Sequence, residues 1–131
     1  MPCCVLRASG SEFDVDAFLD GSPFEPCAVW RRGEPRSRGK SPLEESGFNL
    51  DVREGDFVGQ IAGAIGFLRD HSSELHRLCE YPSVEVRLDF GVARRDVMVQ
   101  CDYLPPALIR LAGSIGLGIE LTQYPVSDLS D

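Results

Sequence analysis

The chain reads as an α+β protein in two layers: a mixed sheet of about six strands with three helices on one face. Three observations predict this. Alternating apolar and polar residues recur in short runs, as at Phe48 to Arg53 and Val84 to Phe90. Apolar stripes with helical spacing lie between such runs, the longest from Val58 to Leu78. The polar phase of the strands is rich in charge (Asn49, Asp51, Arg53, Glu85, Arg87, Asp89, Gln100, Asp102, Glu120, Thr122), which a sheet covered on both faces does not tolerate. The element order is strand-helix-strand three times over. The split βαβ arrangement of ferredoxin-like folds is its nearest named relative.

Residues 3–8 form the first strand, which Ser9-Gly10-Ser11 breaks. Asp14 caps a short helix over 15–20 with Val15, Phe18 and Leu19 on its apolar side, and Gly21 stops it. Ser22 to Pro26 is an extended connector, because each proline pushes its predecessor out of helical space. Residues 27–32 form the second strand and Phe48 to Arg53 the third. Asp56 opens the long helix, whose stripe (Val58, Ile61, Ile65, Leu68, Leu75, Leu78) keeps its phase across Ser72-Ser73 and predicts one continuous element to about Cys79. Gly59, Gly63 and Gly66 weaken it by up to about 1 kcal/mol each against alanine, so packing must compensate.

Tyr81-Pro82 ends that helix, and Val84, Val86, Leu88 and Phe90 mark the clearest strand. These four should lie buried under the long helix. After a turn at 91–96, Val97, Val99, Cys101 and Tyr103 alternate with Met98, Gln100 and Asp102 as its expected antiparallel partner. Pro105-Pro106 suits a helix start. Leu108, Leu111, Ala112 and Ile115 give that helix its apolar side, and Gly116 and Gly118 end it. Ile119 to Tyr124 is the last strand and Pro125 to Asp131 a tail. Each strand-helix-strand unit is expected to cross over right-handed.

The length of 131 residues fits a single domain over 1–131. The start of the chain lacks a signal-peptide pattern. Its longest near-apolar stretch, Ile61 to Leu68, falls far short of the ~20 residues that cross a bilayer. A cytoplasmic protein with no membrane partner is the expectation. Five cysteines, an odd number with no C-x-x-C spacing, read as reduced thiols that hold no metal. His76, Cys79 and Glu80 share a helix edge, but a surface histidine is the simpler account. No Rossmann, Walker or nucleophile-elbow pattern is present, so no catalytic residue and no cofactor is assigned.

The net charge is -8. It is unevenly spread: Arg31, Arg32, Arg36, Arg38 and Lys40 face only Glu34 within ten residues, leaving +4 there and -12 elsewhere. An acidic bulk disfavours duplex nucleic acid. The basic stretch falls in a connection at about 33–46, expected to be a flexible loop, and adjoins the only tryptophan. Tryptophan and arginine are enriched at binding hot spots, so Trp30, Arg31, Arg32, Arg36, Arg38 and Lys40 are the expected partner-binding residues. The plain alternative is a buried Trp30 beside solubilising arginines.

Several segments in order carry a resemblance: Val29-Trp30-Arg31-Arg32-Gly33-Glu34, Gly47-Phe48, Ile65-Gly66-Phe67-Leu68, Leu88-Asp89-Phe90-Gly91, Leu104-Pro105-Pro106, and Gly116-Leu117-Gly118-Ile119-Glu120-Leu121 before Tyr124-Pro125. Together they resemble a family of small bacterial α+β proteins known as a domain of unknown function, over nearly the whole chain. The resemblance implies no catalytic residues. By analogy with small acidic immunity proteins, the leading expectation is a non-enzymatic, toxin-neutralising protein-binding domain. The alternatives are a small enzyme or small-ligand binder with a pocket near the basic loop, and a homodimer through the open sheet.

Overall fold

The computed structural model describes residues 2–36 and 39–125. Five strands and four helices run β1 (Cys3–Gly10), α1 (Val15–Leu19), β2 (Ala28–Trp30), β3 (Ser46–Glu54), α2 (Phe57–Asp70), α3 (Ser72–Cys79), β4 (Glu85–Ala93), α4 (Pro106–Ile115) and β5 (Gly118–Tyr124). The strands form one mixed sheet in the order β2-β3-β1-β4-β5. All neighbours are antiparallel except β4 and β5, which are parallel.

This order corrects the expectation of three simple crossovers. Only β4-α4-β5 joins neighbouring strands. In β1-α1-β2 the two strands are separated by β3, and in β3-α2-α3-β4 they are separated by β1. Two split units therefore interleave, and β5 extends the sheet beyond them.

One phase of the strands makes the core. Cys4, Leu6 and Ala8 of β1, Phe48 and Leu50 of β3, and Val86, Leu88 and Phe90 of β4 are buried together with side chains from every helix. All four helices thus share one face, and the layer count is two. Phe18 of α1 stacks on Phe48 at 5.7 Å, and Phe57 of α2 meets Phe90 edge-on at 6.0 Å. Val84 lies just outside β4 and is only half-buried.

Local chemistry sets the ends. Asp14 and Asp56 cap α1 and α2 by accepting the N–H groups of Ala17 and Gly59. Gly116, at φ 104°, ends α4 in the left-handed conformation that glycine adopts freely. β1 runs on through Ser9 and Gly10, and a side chain on Gly10 would collide with the Ser83 carbonyl.

Two expectations about elements are overturned. The long helix is not continuous: it breaks at His71, which leaves helical space with φ -118° and ψ 24°. The run Asp70-His71-Ser72-Ser73 has weak helix propensity. The imidazole packs against both Phe67 at 4.9 Å and Phe24 at 5.5 Å, rings that also stack on each other at 5.7 Å. The expected strand over 97–103 is a loop. It cannot pair with β4, because β1 and β5 already occupy both of its edges. Its Gln100 side chain instead ties the loop together, taking the Arg95 N–H and donating to the Ala93 carbonyl. Val58, expected in the core stripe, is exposed.

Candidate functional site

Three surfaces bear on function: the Trp30–Lys40 segment, the bare sheet face, and a cleft where α2 begins.

Trp30 closes β2 opposite Gly47. Gly47 shares its phase with Asn49 and Asp51, so it lies on the face without helices. The indole covers this glycine so closely that a Cβ there would come within 2.7 Å of Trp30 Cζ2. Trp30 is therefore half-buried on the open face and is not a core residue. Arg31 makes a two-pronged pair with Asp16 of α1, at 2.8 and 2.7 Å. That guanidinium holds the Asp16 carboxyl below its ordinary range. Arg32 donates to the Ser11 carbonyl, and its backbone N–H bonds Ser46. Arg31 and Arg32 thus fasten the connection to the domain, and backbone bonds between Leu43 and both Gly33 and Glu34 draw its two arms together. Arg36 and Lys40 are exposed. Arg38 lies outside the described residues.

The open face is a network of charges. Asp89 is only 5% exposed. It accepts from Arg7 Nε at 2.9 Å and from Thr122 Oγ1 at 2.6 Å, which links β1, β4 and β5. Arg87 pairs with Glu120 at 3.0 Å and Glu85 at 3.6 Å. Asn49 stands across from Arg7, and its Oδ1 is buried with no partner among the described residues. Cross-strand pairs of this kind stabilise a solvated face without any ligand.

The third surface was invisible in the sequence. The loop from Arg94 to Pro105 leaves a cavity of about 360 Å³ against the start of α2, lined by Phe57, Val58, Ile61, Cys101, Tyr103 and Pro105, with Arg95 and Asp102 at its polar side. A second cavity of about 330 Å³ shares Phe57, Arg95 and Asp102 with it. No described residue of the Trp30–Lys40 segment lines either one. Of the lining residues Val58 is 75% exposed and Tyr103 73%, and in the same loop Val97, Met98 and Val99 are exposed, Met98 fully.

The thiols are dispersed. Cys4 is buried in the core, and burial pushes its thiol up to about 12. Burial also raises Cys3, Cys79 and Cys27, and for Cys3 and Cys27 the nearby Asp51 carboxylate adds to it. A thiol with a raised pKa is a poor nucleophile and a poor metal ligand. Among the described residues no cluster of three or more His, Cys, Asp or Glu side chains is placed to hold a metal ion.

An α+β sheet with helices on one face and a bare charged face is a widespread class. Within it, residues 2–126 match the family described as Domain of unknown function (DUF4279), and the chain belongs to that family. No curated protein and no solved structure matches it.

Proposed function

We propose that the chain is a non-enzymatic protein-binding domain of the cytoplasm that neutralises a basic, toxin-like partner through the surface around Tyr103. One observation carries this reading: Val58 and Tyr103 line one cleft with exposed apolar side chains, and Val97, Met98 and Val99 are exposed on the same 94–105 loop that supplies Tyr103. Contiguous apolar surface rimmed by polar groups marks interaction sites on soluble domains. Methionine and tyrosine adapt to a partner and anchor it. The net charge of -8 supports a basic partner, through steering and complementarity.

The test is a calorimetric titration against the products of the genes that flank its own, paired with growth assays under expression of each product. The triple variant Val97→Ser, Met98→Ser, Val99→Ser should bind about tenfold or more weakly, as lost anchors imply, and should fail to rescue growth. Undiminished binding by the triple variant would refute this surface.

A second contact is favoured by Trp30, whose indole lies half-exposed on the open face, and by the exposed Arg36 and Lys40 of the connection that follows it. Arg31 and Arg32 act there as braces. In the same titration, Trp30→Ala with Arg36→Ala and Lys40→Ala separates this contact from the first.

A further inference from the structure

The two edges of the sheet differ, and the difference points to a second copy of this chain. β2 is three residues long. Pro23 and Pro26 precede it and Pro35 follows it. Short strands flanked by proline are how proteins blunt an edge. β5 is longer, and the one proline that flanks it, Pro125, comes only after its last residue. It runs for seven residues, Gly118 to Tyr124, with an unbroken register against β4. It contains no proline, no lysine and no arginine, and Glu120 is its single charge. Among the described residues its outer side has no strand neighbour.

The polar groups on that outer side can be assigned. Arg94 donates its N–H to the Tyr124 carbonyl beside β4. Backbone groups alternate in direction along a strand, so those of Tyr124, Thr122, Glu120 and Gly118 turn toward β4. The N–H and carbonyl groups of Ile119, Leu121 and Gln123 turn outward. A strand with such an edge is a template for pairing with another strand.

We propose that β5 pairs antiparallel with β5 of a second copy about a two-fold axis at Leu121, so that the two sheets become one. In this register Leu121 faces Leu121, and Ile119 faces Gln123. Both are hydrogen-bonded pairs, so every outward N–H and carbonyl finds its complement. Between them Glu120 faces Thr122 and Gly118 faces Tyr124. No two like charges meet, and glycine leaves room for the tyrosine ring. Leu121 lies on the helix side, where it is 43% exposed, so α4 leaves the axis position open. The isologous pairing closes on itself and ends the edge. This inference is independent of the partner surface around Tyr103.

Sedimentation of the purified full chain over a range of concentrations tests it, with two variants chosen to spare the fold. Leu121→Lys sets two ammonium groups against each other on the axis. Gln123→Pro removes an outward N–H and no bond to β4, which edge strands accept. The wild type should sediment with the mass of two chains. Both variants should sediment as one chain, with far-UV circular dichroism and melting temperature close to the wild type. The triple serine variant at Val97, Met98 and Val99 should remain dimeric. Three outcomes overturn the proposal: a wild type that stays a single chain at every concentration, a dimer that survives both edge variants, or a dimer that the triple serine variant dissolves. The last would place self-association on the apolar loop. A single-chain wild type whose edge takes up an extended segment of another protein counts with the first.

Discussion

The Gln60 side chain is fully buried, which is costly for an amide unless all its groups are bonded. It donates to the carbonyls of Gly55 and Gly91 and accepts the Gly91 N–H at 3.0 Å. Pairing of β1 with β4 stops at Val5 and Asp89, so Gly91 has no strand partner on that side. The amide of Gln60 presents a donor and an acceptor side by side, as a peptide group does, and completes the ladder from α2. Gln60→Leu keeps the volume and leaves those groups unpaired. The expected loss is about 1–3 kcal/mol for each group left without water, read from urea unfolding. A loss below about 0.5 kcal/mol would mean that water reaches Gly91. Nothing in the sequence marked this residue, because a glutamine in a helix is ordinarily a surface choice. Trp30 is the reverse case. Its composition drew attention, but whether it lay in the core or on the bare face depended on Gly47, a residue seventeen positions away.

At the scale of elements, local patterns were legible where one partner decides burial. The alternation at β3 and β4, the Asp14 and Asp56 caps and the glycine end of α4 all follow from near neighbours in the chain. The segment 97–103 alternates as well as β4 does, yet it forms no strand. Its pattern is compatible with pairing, but the place beside β4 is taken by β1 and β5, whose arrival depends on the whole topology. The break at His71 has the same origin: the apolar stripe keeps its phase, while Phe24 from a distant connector holds the imidazole. Two substitutions measure the difference between a pattern and an occupied place. Leu88 is fully buried, so Leu88→Ala should cost about 2–5 kcal/mol. Val99 occupies an equivalent phase but is exposed, so Val99→Ala should stay within about 0.5 kcal/mol of the wild type. A comparable loss at both positions in urea titrations would show that the loop is packed in solution.

For the whole molecule the question is whether the interleaved strands unfold as one unit. Trp30, the single tryptophan, reports from the least supported place, because β2 contributes only three residues to the sheet edge. A short edge strand held by backbone bonds alone frays at low cost. Here it is fastened from several sides: the indole lies on Gly47, Arg31 grips Asp16 of α1, Arg32 reaches the Ser11 carbonyl after β1, and Val29 packs against the core. Those anchors lead to Phe18 and Phe48, which belong to the same buried cluster as Leu88 and Leu108 toward the opposite edge of the sheet. A single cluster shared by every helix favours one cooperative transition. Tryptophan fluorescence and far-UV circular dichroism should therefore trace superimposable urea curves. In Arg31→Ala the fluorescence curve should move ahead of the dichroism curve, since the edge then loses its tie to α1 while the core is untouched. Separated curves in the wild type would show instead that β2 opens independently, and the surface around Trp30 would then be presented to a partner by a mobile edge.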